Sequence, residues 1–170
     1  VVLGGSVGGG GSIAGNLTNN SGTVAPGNSP GKLTVQGSYS QSASGVLSIE
    51  LGGNAAGQFD VLHVNQSATL DGTLAVSLVN GFEPQSGDFF NVLTTGSGTS
   101  GTSFSSVTGN DLNVLSPGYT LNLISDSMNV GFLAALPGDA NLDRLADFSD
   151  LGILLNNYNQ SAGSGLGEWG

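Results

Sequence analysis

The sequence contains no cysteine, which excludes disulfide bonds, thiolate metal sites and cysteine nucleophiles. Basic residues are nearly absent as well, with 2 Lys plus Arg against 12 Asp plus Glu and a net charge of −10. So few cations cannot neutralise a row of phosphates, and an anionic membrane surface would repel the chain. No apolar run approaches the length of a transmembrane helix. We therefore expect neither nucleic-acid binding nor membrane insertion.

Small uncharged residues dominate what is present. Glycine supplies 30 residues, charged residues are only 8% and hydrophobic residues are 38%. The hydrophobic content suffices for a folded core, while short Val, Leu and Ile runs between glycines are typical of strands. The composition predicts an all-β protein that is extracellular or on the cell surface, and it suits a bacterial source.

Residues 32–135 show period-two alternation, which indicates strands with one apolar face. The alternating apolar residues are Leu33 and Val35; Leu47, Ile49 and Leu51; Leu74, Val76 and Leu78; Tyr119, Leu121 and Leu123; and Met128, Val130 and Phe132. The pair Asp71-Gly72 stands between two such runs and predicts a hairpin. We expect a β-sandwich or jelly roll over 32–135.

Residues 1–31 are rich in glycine, and their apolar residues are sparse. The pattern predicts either an extended arm or a solenoid-like rung. Val1-Val2-Leu3 is followed by a glycine tether and has nothing local to pair with. Such an arm can add as a strand to the sheet edge of a neighbouring molecule. The alternatives are a frayed terminus and the end of a longer solenoid.

Residues 136–170 form the third predicted unit, which opens with an acidic loop over 139–150. Oxygen-bearing side chains fall at loop positions 1, 3, 5, 9 and 12, and the backbone carbonyl of position 7 completes the set. The predicted ligands are Asp139, Asn141, Asp143, Leu145, Asp147 and Asp150. Ca²⁺ takes six to eight hard oxygen ligands, so the spacing predicts a calcium site. The alternative is a solvated acidic turn that caps the next helix through Asp147 or Ser149.

Two positions of this loop predict a weak site. Arg144 stands at position 6, where the sharp turn favours glycine, and it adds a positive charge beside the ion. Position 12 is Asp150, which is shorter than the usual bidentate glutamate. Such an affinity suits the millimolar calcium found outside cells.

An apolar stripe after the loop, at Leu151, Leu154, Leu155 and Tyr158, has helical spacing. The segment GDANLDRLADFSDLGILLNNY, residues 138–158, resembles the first half of a type I dockerin repeat, a calcium loop with its exiting helix. The resemblance implies that Asp139, Asn141, Asp143, Asp147 and Asp150 are calcium ligands. It also implies that the stripe packs on a second helix and that the partner is a cohesin-like protein.

A second resemblance covers residues 11–135. The runs GNLTNNSGTVAPGNSPGKLTVQGSYSQ, LSIELGG, FDVLHVNQSATLDGTLAVSLV and GFEPQSGDFFNVL look like the region that ends passenger-type β-solenoids. Those solenoids belong to bacterial autotransporter-like and planctomycete surface proteins. The resemblance implies a structural or adhesive role at a surface.

The sequence offers few candidates for catalysis. His63 is the only histidine, and a hydrogen-bonded strand histidine explains it. Glu50 and Glu83 form a conceivable glycosidase pair, but solvated surface positions explain them better. No nucleophile elbow accompanies the serines. We therefore expect that the protein is not an enzyme.

These observations predict a non-catalytic extracellular structural protein that calcium stabilises. We expect a homo-oligomer that assembles through the N-terminal arm and the C-terminal helix into a filament or surface layer. The alternative is a dockerin-type module that anchors a β-sandwich to a cohesin-bearing scaffold.

Overall fold

Strands account for most of the regular structure in the computed structural model, which describes residues 1–110, 120–136, 138–141, 146 and 148–161. The all-β prediction is thus confirmed at the level of a mostly β protein. The elements are β1 (Ser6–Gly9), β2 (Gly11–Ile13), β3 (Leu17–Asn19), β4 (Thr23–Pro26), β5 (Lys32–Val35), β6 (Tyr39–Gln41), β7 (Val46–Leu51), β8 (Val61–Val64), β9 (Ala68–Thr69), β10 (Thr73–Leu78), β11 (Phe89–Thr95), β12 (Ser106–Thr108), β13 (Thr120–Ser125), β14 (Asn129–Ala135) and α1 (Phe148–Ser161). Within these described ranges, no helix is long and apolar enough to cross a membrane.

Successive strands pass through three sheets in turn. The first sheet has the order β1-β4-β7-β10-β12, the second β2-β5-β8-β11-β14-β13 and the third β3-β6-β9. Every pairing among the named strands β1 to β12 is parallel. The strands β1 to β9 therefore make three coils with one strand in each sheet, and β10 and β11 begin a fourth.

A β-sandwich or jelly roll was expected for 32–135, and the sheets there include parallel strands. The alternation identifies strands and their buried face correctly, but parallel and antiparallel strands share the same side-chain period. Strands β5 to β12 have parallel partners in adjacent coils instead of hairpin partners. Strands β1 to β4, from residues 1–31, belong to the same sheets.

The core consists of side-chain rows that run from coil to coil. Val24, Leu47 and Leu74 are register partners on β4, β7 and β10, and all three are fully buried. In the second sheet, Leu33 and Leu62 are register partners on β5 and β8 and belong to the same buried cluster. Each coil repeats the inward positions of the coil before it. Apolar side chains of successive coils therefore stack on one another, and this stacking removes their surface from water.

Asp71 and Gly72 form a corner between sheets and not the predicted hairpin, because β9 and β10 lie in different sheets. Gly72 has φ +65°, and a Cβ there would lie 2.4 Å from the carbonyl oxygen of Gly45. The dipeptide that favours tight hairpins thus serves here to pass the backbone close to the corner of the preceding coil.

The N-terminal residues are docked on the first coil, so the expectation that they have nothing local to pair with is wrong at Val2. Its N–H donates to the carbonyl oxygen of Thr18 at 2.7 Å, and its carbonyl oxygen accepts from Asn20 N–H at 2.9 Å. The Val2 side chain is buried against Gly22, where a Cβ would come within 2.3 Å of Val2 Cγ1. Its neighbour Leu3 is exposed.

The end of the second sheet differs from the rest of the fold. There β14 pairs antiparallel with both β11 and β13. This antiparallel addition finishes the second sheet at the end opposite to β2, and the predicted calcium loop follows β14 directly.

Candidate calcium centre

Asp139 stands just after β14 and is held against the coiled sheets. Its N–H donates to the carbonyl oxygen of Leu136 at 2.9 Å, which turns the chain over Gly138 at φ +94°. Its side chain is only 5% exposed. Oδ2 accepts a hydrogen bond from the Ser86 hydroxyl, which is itself buried. The first predicted ligand is therefore buried at the end of the sheets.

Asp150 brings the other end of the predicted loop to the same place. It lies in the first turn of α1, where a negative charge is favourable, and is 2% exposed. Its Oδ1 accepts from the N–H groups of Ala140 at 2.8 Å and Asn141 at 3.1 Å. Loop position 12 thus folds back onto the backbone of positions 2 and 3, next to Asp139.

The remaining predicted ligands are either exposed or outside the described residues. The side chain of Asn141 is exposed. Asp143, Leu145 and Asp147 lie outside the described residues. Among the residues that the structure does describe, no group of three or more His, Cys, Asp or Glu could hold a metal ion. The complete ligand set therefore stays a prediction.

The carboxylates of Asp139 and Asp150 are suitable ligands for a hard cation. Two carboxylates, from Asp139 and Asp150, are almost entirely removed from water, and burying a carboxylate is costly unless it is paired, hydrogen-bonded or bound to a metal. Both residues supply the oxygen ligands that Ca²⁺ prefers. A groove of about 520 Å³, lined in part by Thr120, Asn122 and Asp139, opens beside the first of them.

Helix α1 confirms the helical spacing predicted after the loop, and one of its faces is apolar and exposed. Phe148 is 89% exposed, and Leu151 and Leu155 are 46% and 55% exposed. The spacing of these residues places them along one side of a helix. The side chains of Leu154 and Tyr158 lie outside the described residues.

The catalytic candidates lie on separate elements of the fold. His63 is on β8, where Nδ1 lies 2.6 Å from Thr94 Oγ1, so the hydrogen-bonded strand histidine is confirmed. Glu50 is on β7, whereas Glu83 is in the connection between β10 and β11.

Sequence reasoning missed a buried carboxylate, that of Asp60. Its Oδ1 accepts from Gly31 N–H at 2.7 Å and its Oδ2 from Glu50 N–H at 2.9 Å, which ties two coils together. Burial raises the pKa of Asp60, the two backbone donors oppose this shift, and the charge of Glu50 adds to it. An acidic residue within the apolar run 59–64 was the signal that could have revealed it.

The comparisons with known proteins do not extend these observations: no protein-family model matches the chain, and no curated protein matches it.

Proposed function

We propose that the chain is a non-catalytic structural protein of the cell surface or extracellular medium. In this proposal its coils form a β-solenoid, its C-terminal end is stabilised by Ca²⁺, and its first coil associates with a second copy. The composition supports the location, since small uncharged polar residues cover the strands and charged residues are 8%. The stacked parallel strands support a rigid structural role.

We infer the association from the sheet edge that the first coil forms. Strands β1 and β2 are each the outermost strand of their sheet within the described residues, whereas Val2 already pairs with Asn19 on the outer side of β3. An edge strand presents backbone groups that can pair with another chain. At the opposite end of the second sheet, β14 and β13 pair antiparallel and not parallel, so the two ends of this sheet differ.

The backbone of Ser6 faces this open edge. Thr23, its register partner on β4, donates its N–H to the carbonyl oxygen of Gly5 at 2.9 Å. In a parallel ladder a residue bonds to the two residues that flank its partner, so Thr23 bonds to positions 5 and 7. The N–H and C=O of Ser6 therefore point away from β4, toward an added strand.

Calcium supports the same structural role at the other end of the fold. When bound, Ca²⁺ would neutralise carboxylates that folding brings together. Asp139 and Asp150 would hold it together with Asn141, Asp143, Asp147 and the carbonyl of Leu145. An ion that binds only the folded state stabilises it by about 2.7 kcal/mol at 100 times its dissociation constant.

Light scattering after size-exclusion chromatography tests the association. We expect the whole chain to associate in a concentration-dependent way, both in millimolar calcium and in excess chelator, because the edge is remote from the calcium loop. Ser6→Pro removes an outward N–H and should give a folded monomer. Ser6→Ala keeps that N–H and should behave as the wild type. A wild-type monomer at every concentration, or equal association of both variants, contradicts the proposal.

A second candidate function rests on the exposed face of α1 formed by Phe148, Leu151 and Leu155. In a dockerin-type module this face would contribute to a contact with a cohesin-like protein. Titration of the calcium-loaded chain with a cohesin domain tests this candidate by calorimetry. Binding that Phe148→Asp abolishes supports it, and absence of binding heat contradicts it.

A further inference from the structure

Ser86 belongs to the connection between β10 and β11, which the fold holds firmly in place. Its neighbour Gly87 donates its N–H to the carbonyl oxygen of Ala134 at 2.9 Å, and Ala134 N–H donates to the carbonyl oxygen of Asp88 at 2.8 Å. The Asp88 carboxylate also accepts from Gln85 N–H at 2.9 Å. Ser86 is thus fixed to β14 just before the chain enters the predicted calcium loop.

The contact between Ser86 and Asp139 joins residues that are 53 positions apart in the chain. Both side chains are buried, with 3% and 5% of their surface exposed. A carboxylate offers about four lone-pair sites, and the Ser86 hydroxyl takes one of those on Oδ2. The hydroxyl therefore restricts the rotation of the carboxylate.

We propose that Ser86 is a positioning residue for calcium, which holds the carboxylate of Asp139 in the orientation that the ion requires. The inference rests on the proposed calcium site and adds a part of that site that the loop itself does not contain. Residues that orient metal ligands typically contribute 10–100-fold to metal affinity. The calcium loop is therefore completed by the coiled sheets, through a side chain outside residues 139–150.

Calcium titration of the whole chain by calorimetry tests this role. We expect Ser86→Ala to weaken calcium affinity about tenfold. Ser86→Thr keeps a hydroxyl and should restore most of the affinity. Ser105→Ala is the matched control, because Ser105 also donates to an aspartate carboxylate, that of Asp71, away from the predicted loop. Ser105→Ala should bind calcium as the wild type does.

Each outcome has a distinct meaning. Absence of calcium binding by the wild type overturns the proposed calcium site and the role of Ser86 with it. Wild-type binding that Ser86→Ala leaves unchanged retains the calcium site and overturns only the positioning role. If Ser86→Ala does not fold in chelator, Ser86→Cys replaces it, because a thiol is nearly isosteric and a weak donor. Its affinity should then fall below that of Ser86→Thr, and equal affinities overturn the inference.

Discussion

The hydroxyl of Tyr39 donates a hydrogen bond of 2.5 Å to Oε1 of Gln41 inside the stack of coils. The two N–H protons of Gln41 Nε2 are shared among three carbonyl oxygens within hydrogen-bond distance, those of Gly45 at 3.2 Å, Asp71 at 2.7 Å and Thr73 at 3.1 Å. Gly45 lies where the second coil ends, and Asp71 lies where the third coil ends. A single buried amide thus ties two successive coil corners together.

Replacing this amide should destabilise the fold strongly. Gln41→Leu removes a buried donor to the carbonyls of Asp71 and Thr73 and the acceptor of Tyr39, and each buried group left unsatisfied costs about 1–3 kcal/mol. We expect the free energy of unfolding in urea to fall by about 3 kcal/mol or more. Gln36→Leu is the control, since Gln36 is exposed, and it should change stability by less than about 0.5 kcal/mol. Equal effects would show that the Gln41 network does not stabilise the coils.

Tyr39 should make stability fall at alkaline pH. Burial raises the pKa of its hydroxyl, opposed by a side-chain hydrogen bond with Asn19. In the unfolded chain the hydroxyl ionises above pH of about 10 while the folded protein keeps its proton. The unfolded state then binds fewer protons, so the free energy of unfolding decreases as pH rises, by up to about 1.4 kcal/mol per pH unit.

Urea unfolding between pH 7 and pH 11 checks this expectation by comparing the wild type with Tyr39→Phe. The variant should be less stable by about 1 kcal/mol near neutral pH because it lacks the hydrogen bond to Gln41. Above pH 10 the difference between the two proteins should shrink. A difference that stays constant across the range contradicts the assigned cause.

The corner at Gly72 should tolerate alanine poorly. A Cβ there would lie 2.4 Å from the oxygen of Gly45 and 2.5 Å from that of Ser42, in addition to the strain at φ +65°. Gly57 has φ +85° with nothing within 4 Å of a Cβ, so Gly57→Ala bears only the strain of about 1–2 kcal/mol. We expect Gly72→Ala to lower the thermal midpoint well beyond Gly57→Ala. Equal midpoints would argue against the close backbone contact.

The docking of the N-terminus predicts a difference between two adjacent apolar residues. Val2 is buried and Leu3 is 74% exposed. Val2→Ser should reduce the free energy of unfolding by about 1–2 kcal/mol, because a valine contact with the core is lost. Leu3→Ser should leave it nearly unchanged. A free arm would predict that neither substitution matters.

The sequence predicts the features that depend on neighbouring residues, and it does not predict which distant strands pair. The alternation at Leu47, Ile49 and Leu51 correctly predicts β7 and its inward face, since all three residues are fully buried. The same alternation cannot distinguish a partner in the next coil from one in a hairpin. At Asp71-Gly72 a local turn signal therefore predicted the wrong connection.

In the candidate site, too, the sequence predicts the local feature and not the contact between distant residues. The spacing of Asp139 and Asp150 predicted a loop, and the fold places the side chain of one against the backbone beside the other. Ser86 carries no comparable signal, because its meaning depends on a contact across 53 positions. Asp60 is similar, since its role comes from backbone groups of two different coils.

Hydrogen exchange measured by mass spectrometry, in saturating calcium and in excess chelator, tests the calcium-stabilised fold most directly. We expect calcium to slow amide exchange in residues 138–151 and in residues 83–88, which Ser86 joins to Asp139. Exchange in the first three coils should stay the same, because their hydrogen bonds do not depend on the ion. Unchanged exchange in residues 138–151 would contradict the calcium site, and with it the proposed stabilisation of this end of the protein.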